Sequence, residues 1–223
     1  MNDDFNRIAC GTFSDFSSIR IEAEHKARQN LRKSSSKFEE ITLEDIYDVM
    51  TNEYKISRTI TQQMYHIETD LEIKYCKTRK SAQQLYELAH YINKEIIIVS
   101  DMYLPKSIIE EILTRNKYNH YKMLYISSEH KLTKSISPLY EYVISDSGKT
   151  PDKILHIGDN HKSDYQNAIK YNINAIHYPS TKNVFANNAT DMHRLFFKNL
   201  PFWQNNTLAV NAIRCKRQNE SSI

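Results

Sequence analysis

Glycine is nearly absent from this chain. Its 223 residues hold three, Gly11, Gly148 and Gly158, so the glycine beside Asp159 marks a demand of the backbone rather than a filler. Cysteine is equally scarce. Cys10, Cys76 and Cys215 are an odd number at wide spacing, which excludes a disulfide framework and a zinc site and predicts a reducing compartment. The nine histidines form no paired ligand motif. The longest aliphatic run is Ile96–Val99, far short of a membrane span. The opening residues, MNDDFNRIACGTF, have neither a basic start nor an apolar stretch, so no signal peptide is read there and a cytoplasmic protein is expected. Charge is also nearly balanced. Thirty Lys and Arg against 27 Asp and Glu leave +3, too little to argue for a nucleic-acid partner. What remains, with 40% hydrophobic and 26% charged residues, is an ordinary globular composition, long enough for one domain and a smaller insert.

The apolar pattern divides the chain. Phe16, Ile19, Ala23, Ala27 and Leu31 recur at helical spacing over 14–33. Arg20, Glu24 and Arg28 form a second stripe, expected to be a salt-bridged solvent face, with substrate contact as the lesser alternative. Thr42, followed by Glu44 and Asp45, predicts a capped helix start, with Ile46, Val49 and Met50 on its apolar side. A third helix covers roughly 59–75. Residues 82–93 predict a fourth, apolar through Leu85, Leu88, Ala89 and Ile92. From there strands alternate with helices. Strands are expected at Glu95–Val99, Met123–Ile126, Ile154–Ile157 and Ala175–Tyr178, a helix opened by Pro105, another over 134–145 stopped by Gly148, and one over 165–171. Such alternation means βαβ units and a parallel sheet. In the last forty-odd residues, Leu195–Phe197 and Phe202–Trp203 are expected to pack on the body, and 207–216 to form a short amphipathic helix.

The stretch Lys153–Asp164, KILHIGDNHKSD, carries the chemistry. A brief apolar strand ends at Gly158-Asp159, and a second acid, Asp164, follows. In open α/β sheets the loop at a strand's carboxyl end is where ligands bind. Two carboxylates there suit Mg²⁺; a solvated turn with Asp159 as a helix cap is the plain alternative. Two earlier strand ends are also polar: Ser100-Asp101, and Ser127-Ser128-Glu129 followed by Lys134. A hydroxyl, a lysine and an acid-bound cation on successive strand ends make a plausible phosphoryl-transfer site.

These segments resemble the haloacid dehalogenase-like hydrolase superfamily. IIIVSDMYLP looks like its second motif and maps that motif's hydroxyl to Ser100. Lys134 matches its lysine, with Lys131 as a rival. GDNHKSD looks like its acidic motif, mapping the metal ligand to Asp159 and a supporting acid to Asp164. The resemblance thus implies Ser100 and Lys134 as catalytic, Ser100, Asp101 and Lys134 as phosphate-binding, Asp159 and Asp164 as metal-binding, and Mg²⁺ as cofactor. It implies a Rossmann-like parallel sheet with an N-terminal helical insert, which divides the chain into a helical region (1–78), an α/β core (79–180) and a tail or linker helix (181–223). FSDFSSIRIEAEHKAR, EITLEDIY, YISSEHKLTKS and ILHIGDNHKSDYQNA are similar to one branch, often found beside or fused to glycosyltransferases of bacterial surface-polysaccharide synthesis. A phosphorylated small molecule, such as a sugar phosphate, and a glycosyltransferase domain or partner are the implied associates.

One departure matters. The superfamily's first motif is an apolar strand followed by two aspartates one residue apart, the first being the nucleophile. Asp3 and Asp4 are adjacent, no strand precedes them, and Phe5–Phe13 carries no carboxylate. The resemblance therefore implies a chain beginning inside the helical insert, without the central strand between Glu95–Val99 and Ile154–Ile157. Such a chain would leave two strand edges unpaired and hydrolyse phosphate esters weakly or not at all. A non-catalytic binding or assembly module is the second expectation. A response-regulator receiver, also doubly wound, lacks a helical insert of this size and needs an acid pair ahead of its strands.

Overall fold

Three helices lead into the architecture of the computed structural model, which describes residues 16–34, 38–136 and 138–180. Helix α1 (Phe16–Ser34) buries Phe16, Ala23 and Ala27. Helix α2 (Leu43–Asn52) starts with a capping box. Thr42 Oγ1 accepts the Asp45 N–H at 3.1 Å, and Asp45 Oδ2 accepts the Thr42 N–H at 2.7 Å, so two otherwise orphaned donors are satisfied reciprocally. Helix α3 (Arg58–Tyr75) is capped by Ser57 and buries Met64, Leu71 and Ile73. The predicted starts and apolar sides of these helices agree with the sequence periodicity. Asp3, Asp4, Phe5–Phe13 and the tail's aromatic residues and amphipathic segment lie outside the described residues.

After α4 (Lys80–Tyr91) the predicted alternation appears: β1 (Ile97–Ser100), α5 (Lys106–Arg115), β2 (Met123–Ile126), the short α6 (Ser127–His130), α7 (Pro138–Ser147), β3 (Leu155–Gly158), α8 (Asn167–Lys170) and β4 (Asn174–His177). A single π turn, His161–Gln166, leads into α8. Pro105 immediately precedes α5, and its carbonyl accepts from Ile108 and Ile109. Gly148 follows α7 at φ +63°, the left-handed conformation that ends a helix.

The strands do not form one sheet. β1 pairs with β2 in parallel, Ile97 opposite Met123 through Ser100 opposite Ile126. β3 pairs with β4 in parallel, Leu155 opposite Asn174 through Gly158 opposite His177. No strand among the described residues lies between the two pairs. This is the arrangement expected of a doubly wound sheet lacking its central strand.

One core joins α1, α2 and α3 to Leu104, to Ile109 and Ile112 of α5, and to Leu124 and Ile126 of β2. A smaller one packs Tyr140, Ala168 and Ile173 against the second. Two sequence expectations fail. The apolar side of α4 is not buried: Leu85, Leu88 and Ile92 are exposed, and Tyr86 is the helix's buried residue. Periodicity reports which face is apolar, not whether anything covers it, and here nothing described does.

The Arg20–Glu24–Arg28 stripe forms its expected i,i+4 ion pairs, Arg20 and Arg28 each reaching Glu24 at 3.3 and 3.2 Å, but it is not a plain solvent face. Arg20 is 8% exposed and donates through Nε and Nη2 to Glu68, 1% exposed, at 2.9 and 2.8 Å. Tyr47 Oη donates to the same carboxylate at 2.7 Å. Arg28 reaches Glu40 at 2.6 Å. These further partners come from α2, α3 and the segment before α2, which spacing within α1 cannot reveal.

A buried pair that loses one member leaves an uncompensated charge. Glu68→Ala is therefore expected to lower stability by about 3–5 kcal/mol in urea denaturation. Glu53→Ala, which breaks the exposed pair with Lys26, should hardly move the midpoint.

Candidate functional site

The carboxyl ends of β1 and β3 open onto one cavity of about 430 Å³. Ser100 and Asp101 enter it from β1, Lys134 and Ser135 from the loop before α7, His156 to Asn160 from β3 and its exit, and Ser163 and Asp164 from the π turn. The structure thus brings together all five residues singled out in the sequence: Ser100, Asp101, Lys134, Asp159 and Asp164.

Lys134 ties these segments to one another. Its N–H donates to both oxygens of Asp101, at 2.9 and 3.1 Å. Its carbonyl accepts from Asn167 Nδ2 at 2.8 Å. Its ammonium, in a residue 8% exposed, lies 2.6 Å from Asp164 Oδ1. The rival Lys131 is excluded from this place. It ends α6 in the left-handed conformation, φ +58°, and its ammonium reaches Asp45 at 4.0 Å.

Asp164 is held on both oxygens. Oδ1 takes Lys134 and lies 3.4 Å from His156 Nε2; Oδ2 accepts the Asn160 N–H at 2.9 Å. Burial pushes its pKa up, but the bond from His156, the charge and bond of Lys134 and the Asn160 N–H outweigh that and hold the carboxyl well below the ordinary range. Gly158 makes the approach feasible. A Cβ there would sit 2.4 Å from the Asp164 carboxylate, so the glycine serves close packing of backbone against the acid.

Asp101 faces the cavity, and both its oxygens accept the Lys134 N–H rather than capping α5, whose start has no side-chain cap bond. Burial raises its pKa above the usual aspartate value, and the Lys134 N–H and charge offset part of the rise. Ser100 and Asp159 are the open positions, since neither side chain has a bonding partner among the described residues. Sequence reading missed three contributors. His156 alternates inward between the exposed Leu155 and Ile157, a strand period that could have flagged it. Asn160 caps the π turn by accepting from Lys162 and Ser163, both at 3.0 Å, and its position after a strand-ending Gly-Asp was the available signal. Asn167, fully buried, offered none.

The donor set does not make a resident Mg²⁺ site. Both Asp164 oxygens are committed, and no three His, Cys, Asp or Glu residues among the described residues are grouped as metal ligands. Among the described residues Asp159 is the one open carboxylate of this cavity, where Mg²⁺ prefers near-octahedral oxygen coordination.

Two outcomes follow from the Asp164 geometry. Gly158→Ala should cost about 1–3 kcal/mol, because the overpacked acid cannot yield without loosening Lys134 and Asn160; an unchanged melting temperature would contradict the packing. A carboxyl whose folded pKa is depressed stabilises the fold fully above its unfolded value of about 3.9, and that contribution drains as the pH falls below it. Urea midpoints should fall more steeply between pH 5 and 3 in the wild type than in Asp164→Asn.

No protein-family model matches the chain, and no curated protein does. Among solved structures it is similar to a dehalogenase at 10% identity and a TM-score of 0.50, over 78% of this chain and 83% of that one. It is also similar to a haloacid dehalogenase-like family hydrolase from Xanthomonas campestris at 13% identity and a TM-score of 0.52, over 99% of this chain and 85% of that one. At such identities the likeness is one of architecture. Together with the parallel strand pairs and the order of the polar strand ends, it shows that the chain has a haloacid dehalogenase-like α/β fold.

Proposed function

We propose that the cavity receives the phosphoryl group of a small phosphorylated metabolite of the sugar-phosphate class, and that the chain is a phosphohydrolase relative with weak or no turnover. The observation that supports this is the convergence on one cavity of Ser100 and Asp159, from the ends of β1 and β3, and Lys134, from the loop before α7. Ser100 offers an unengaged hydroxyl. The Lys134 ammonium has three donors, one of them taken by Asp164. These groups hold and neutralise a phosphate, which is most of what phosphoryl transfer asks of a protein.

Attack is the part left unsupplied. Asp101 holds the Lys134 N–H with both oxygens, and Asp164 is locked in its ion pair. Neither is placed as a free nucleophile. The walls also carry Asp101, Asp159 and Asp164 against a single lysine, a balance that repels a phosphate dianion. In this reading Mg²⁺ accompanies the ester, meets the protein at Asp159, and binds weakly without it. A second reading, a binding or assembly module for enzymes of cell-surface polysaccharide synthesis, with a glycosyltransferase as partner, is favoured by the divided sheet and its bare Leu155, Ile157 and Ile176.

Calorimetric titration of Mg²⁺ in the presence of inorganic phosphate, with wild type and Asp159→Ala, tests the site. A weak heat lost in the variant is expected, and equal heats would remove Asp159 from the reading. Turnover of p-nitrophenyl phosphate should stay near background; strong turnover abolished by Asp101→Asn would move the nucleophile to Asp101.

A further inference from the structure

The helical region holds a second cavity, of about 400 Å³, between α2 and α3. None of its lining residues belongs to the α/β core, and none lines the Ser100–Lys134 cavity. The two helices run antiparallel along it. Thr51 Oγ1 lies 2.9 Å from Thr61 Oγ1, and the rings of Tyr47 and Tyr65 meet edge to face at 5.6 Å, so an earlier position in α2 meets a later one in α3. The walls are fixed from behind. Tyr47 is buried, and its hydroxyl donates to Glu68 at 2.7 Å within the buried Arg20 network. A concave space of this size with walls already in place is what small-molecule sites require, which run from about 300 to 1,000 Å³.

Its lining carries charges of both signs that do not meet. Glu44 and Asp48 stand one turn apart on α2, and Arg58 opens α3. Among the described residues none of these three side chains has an ion pair or a hydrogen-bond partner. The antiparallel course puts Arg58 at one end and Glu44 at the other. Tyr65, half-buried, belongs to the acidic end: burial raises the pKa of its hydroxyl, and the charges of Glu44 and Glu68 add to the rise. That hydroxyl too has no bonding partner among the described residues. Arg58 and Tyr65 are seven positions apart, about 10 Å along the helix at 1.5 Å per residue. Opposite charges left unmatched at the two ends of one cavity are the counterpart of a ligand that carries both.

We propose that this cavity binds a small zwitterion, with its carboxylate on Arg58, its ammonium at Asp48 and Glu44, and an aliphatic stem lying across Tyr65. A guanidinium fork pairs with a carboxylate through two parallel bonds. The ammonium meets two carboxylates and an aromatic ring, and the ring face also attracts a cation. Two acids against one guanidinium repel a phosphate dianion, so the ligand class differs from that of the Ser100–Lys134 cavity. The distance between the ends excludes an α-amino acid with an uncharged side chain, whose two charges share one carbon. A stem of several methylenes is needed.

The test titrates ε-aminocaproate into the isotope-labelled full chain and follows amide chemical shifts. Saturable shifts are expected on α2 and α3. Caproate, which lacks the ammonium, and hexylamine, which lacks the carboxylate, should each bind at least tenfold more weakly. Arg58→Gln should weaken ε-aminocaproate tenfold or more without weakening hexylamine. Asp48→Asn should weaken it to a similar degree without weakening caproate. Glu87→Gln, at an exposed position of α4 outside the cavity lining, should leave binding unchanged. Circular dichroism checks that each variant is folded. Absent saturable binding to a folded chain overturns the proposal. Equal affinities for the three ligands, or shifts confined to the Ser100–Lys134 cavity, overturn it as well.

Discussion

The site depends on the triple engagement of Lys134. Backbone N–H, carbonyl and ammonium each bind a different segment: Asp101 after β1, Asn167 in α8 and Asp164 in the π turn. The two strand pairs share no ladder, so this loop residue supplies a polar link between their carboxyl ends. An ammonium that is nearly buried is costly unless paired and bonded, and Asp164 at 2.6 Å meets that demand. Against the pull of burial, and with the His156 and Asn160 bonds, the Lys134 ammonium holds the Asp164 carboxyl below its ordinary range.

The Lys134 loop is held from the other side as well. Glu39 accepts the Thr133 N–H at 3.0 Å and its hydroxyl at 3.1 Å, while its own N–H donates to the Lys131 carbonyl. Glu40, nearly buried, takes Arg28 at 2.6 Å and Ser127 Oγ at 3.2 Å. Ser127 in turn accepts the Met102 N–H at 2.8 Å, just beyond the end of β1. The helical region therefore does more than cover the first half-sheet. Through two adjacent glutamates it sets the position of the loop that places Lys134 in the cavity. A neutral pair at 39 and 40 would leave the Thr133 and Ser127 donors with weaker partners, since bonds to a charged acceptor are the stronger kind.

Local signals were the legible ones. Thr42 and Asp45 announce their capping box because both partners lie within one turn. Gly148 announces a helix end, and Ile97–Val99 a strand, for reasons carried by single residues and their neighbours. The fold class was legible for the same reason: helical spacing and β-branched runs alternate in order. Arg20 shows where such reading stops. Its spacing to Glu24 and Arg28 describes α1 alone, whereas its burial follows from Glu68, forty-eight positions away. Leu85 and Leu88 show the converse, an apolar stripe that remains uncovered.

By itself the sequence determined the elements, their order, and the polar residues at the ends of the strands. Periodicity, caps and turn residues act within a few positions, and those forces are written in the chain. The tertiary structure decided which lysine enters the cavity: Lys134 meets Asp164, while Lys131 lies toward Asp45. It decided that Asp101 faces inward to hold a backbone N–H. It also decided that Asp164 is spent on an ion pair while Asp159 stays open. These are outcomes of long-range contact, where burial makes each charge choose a partner, and no local pattern states which partner that will be.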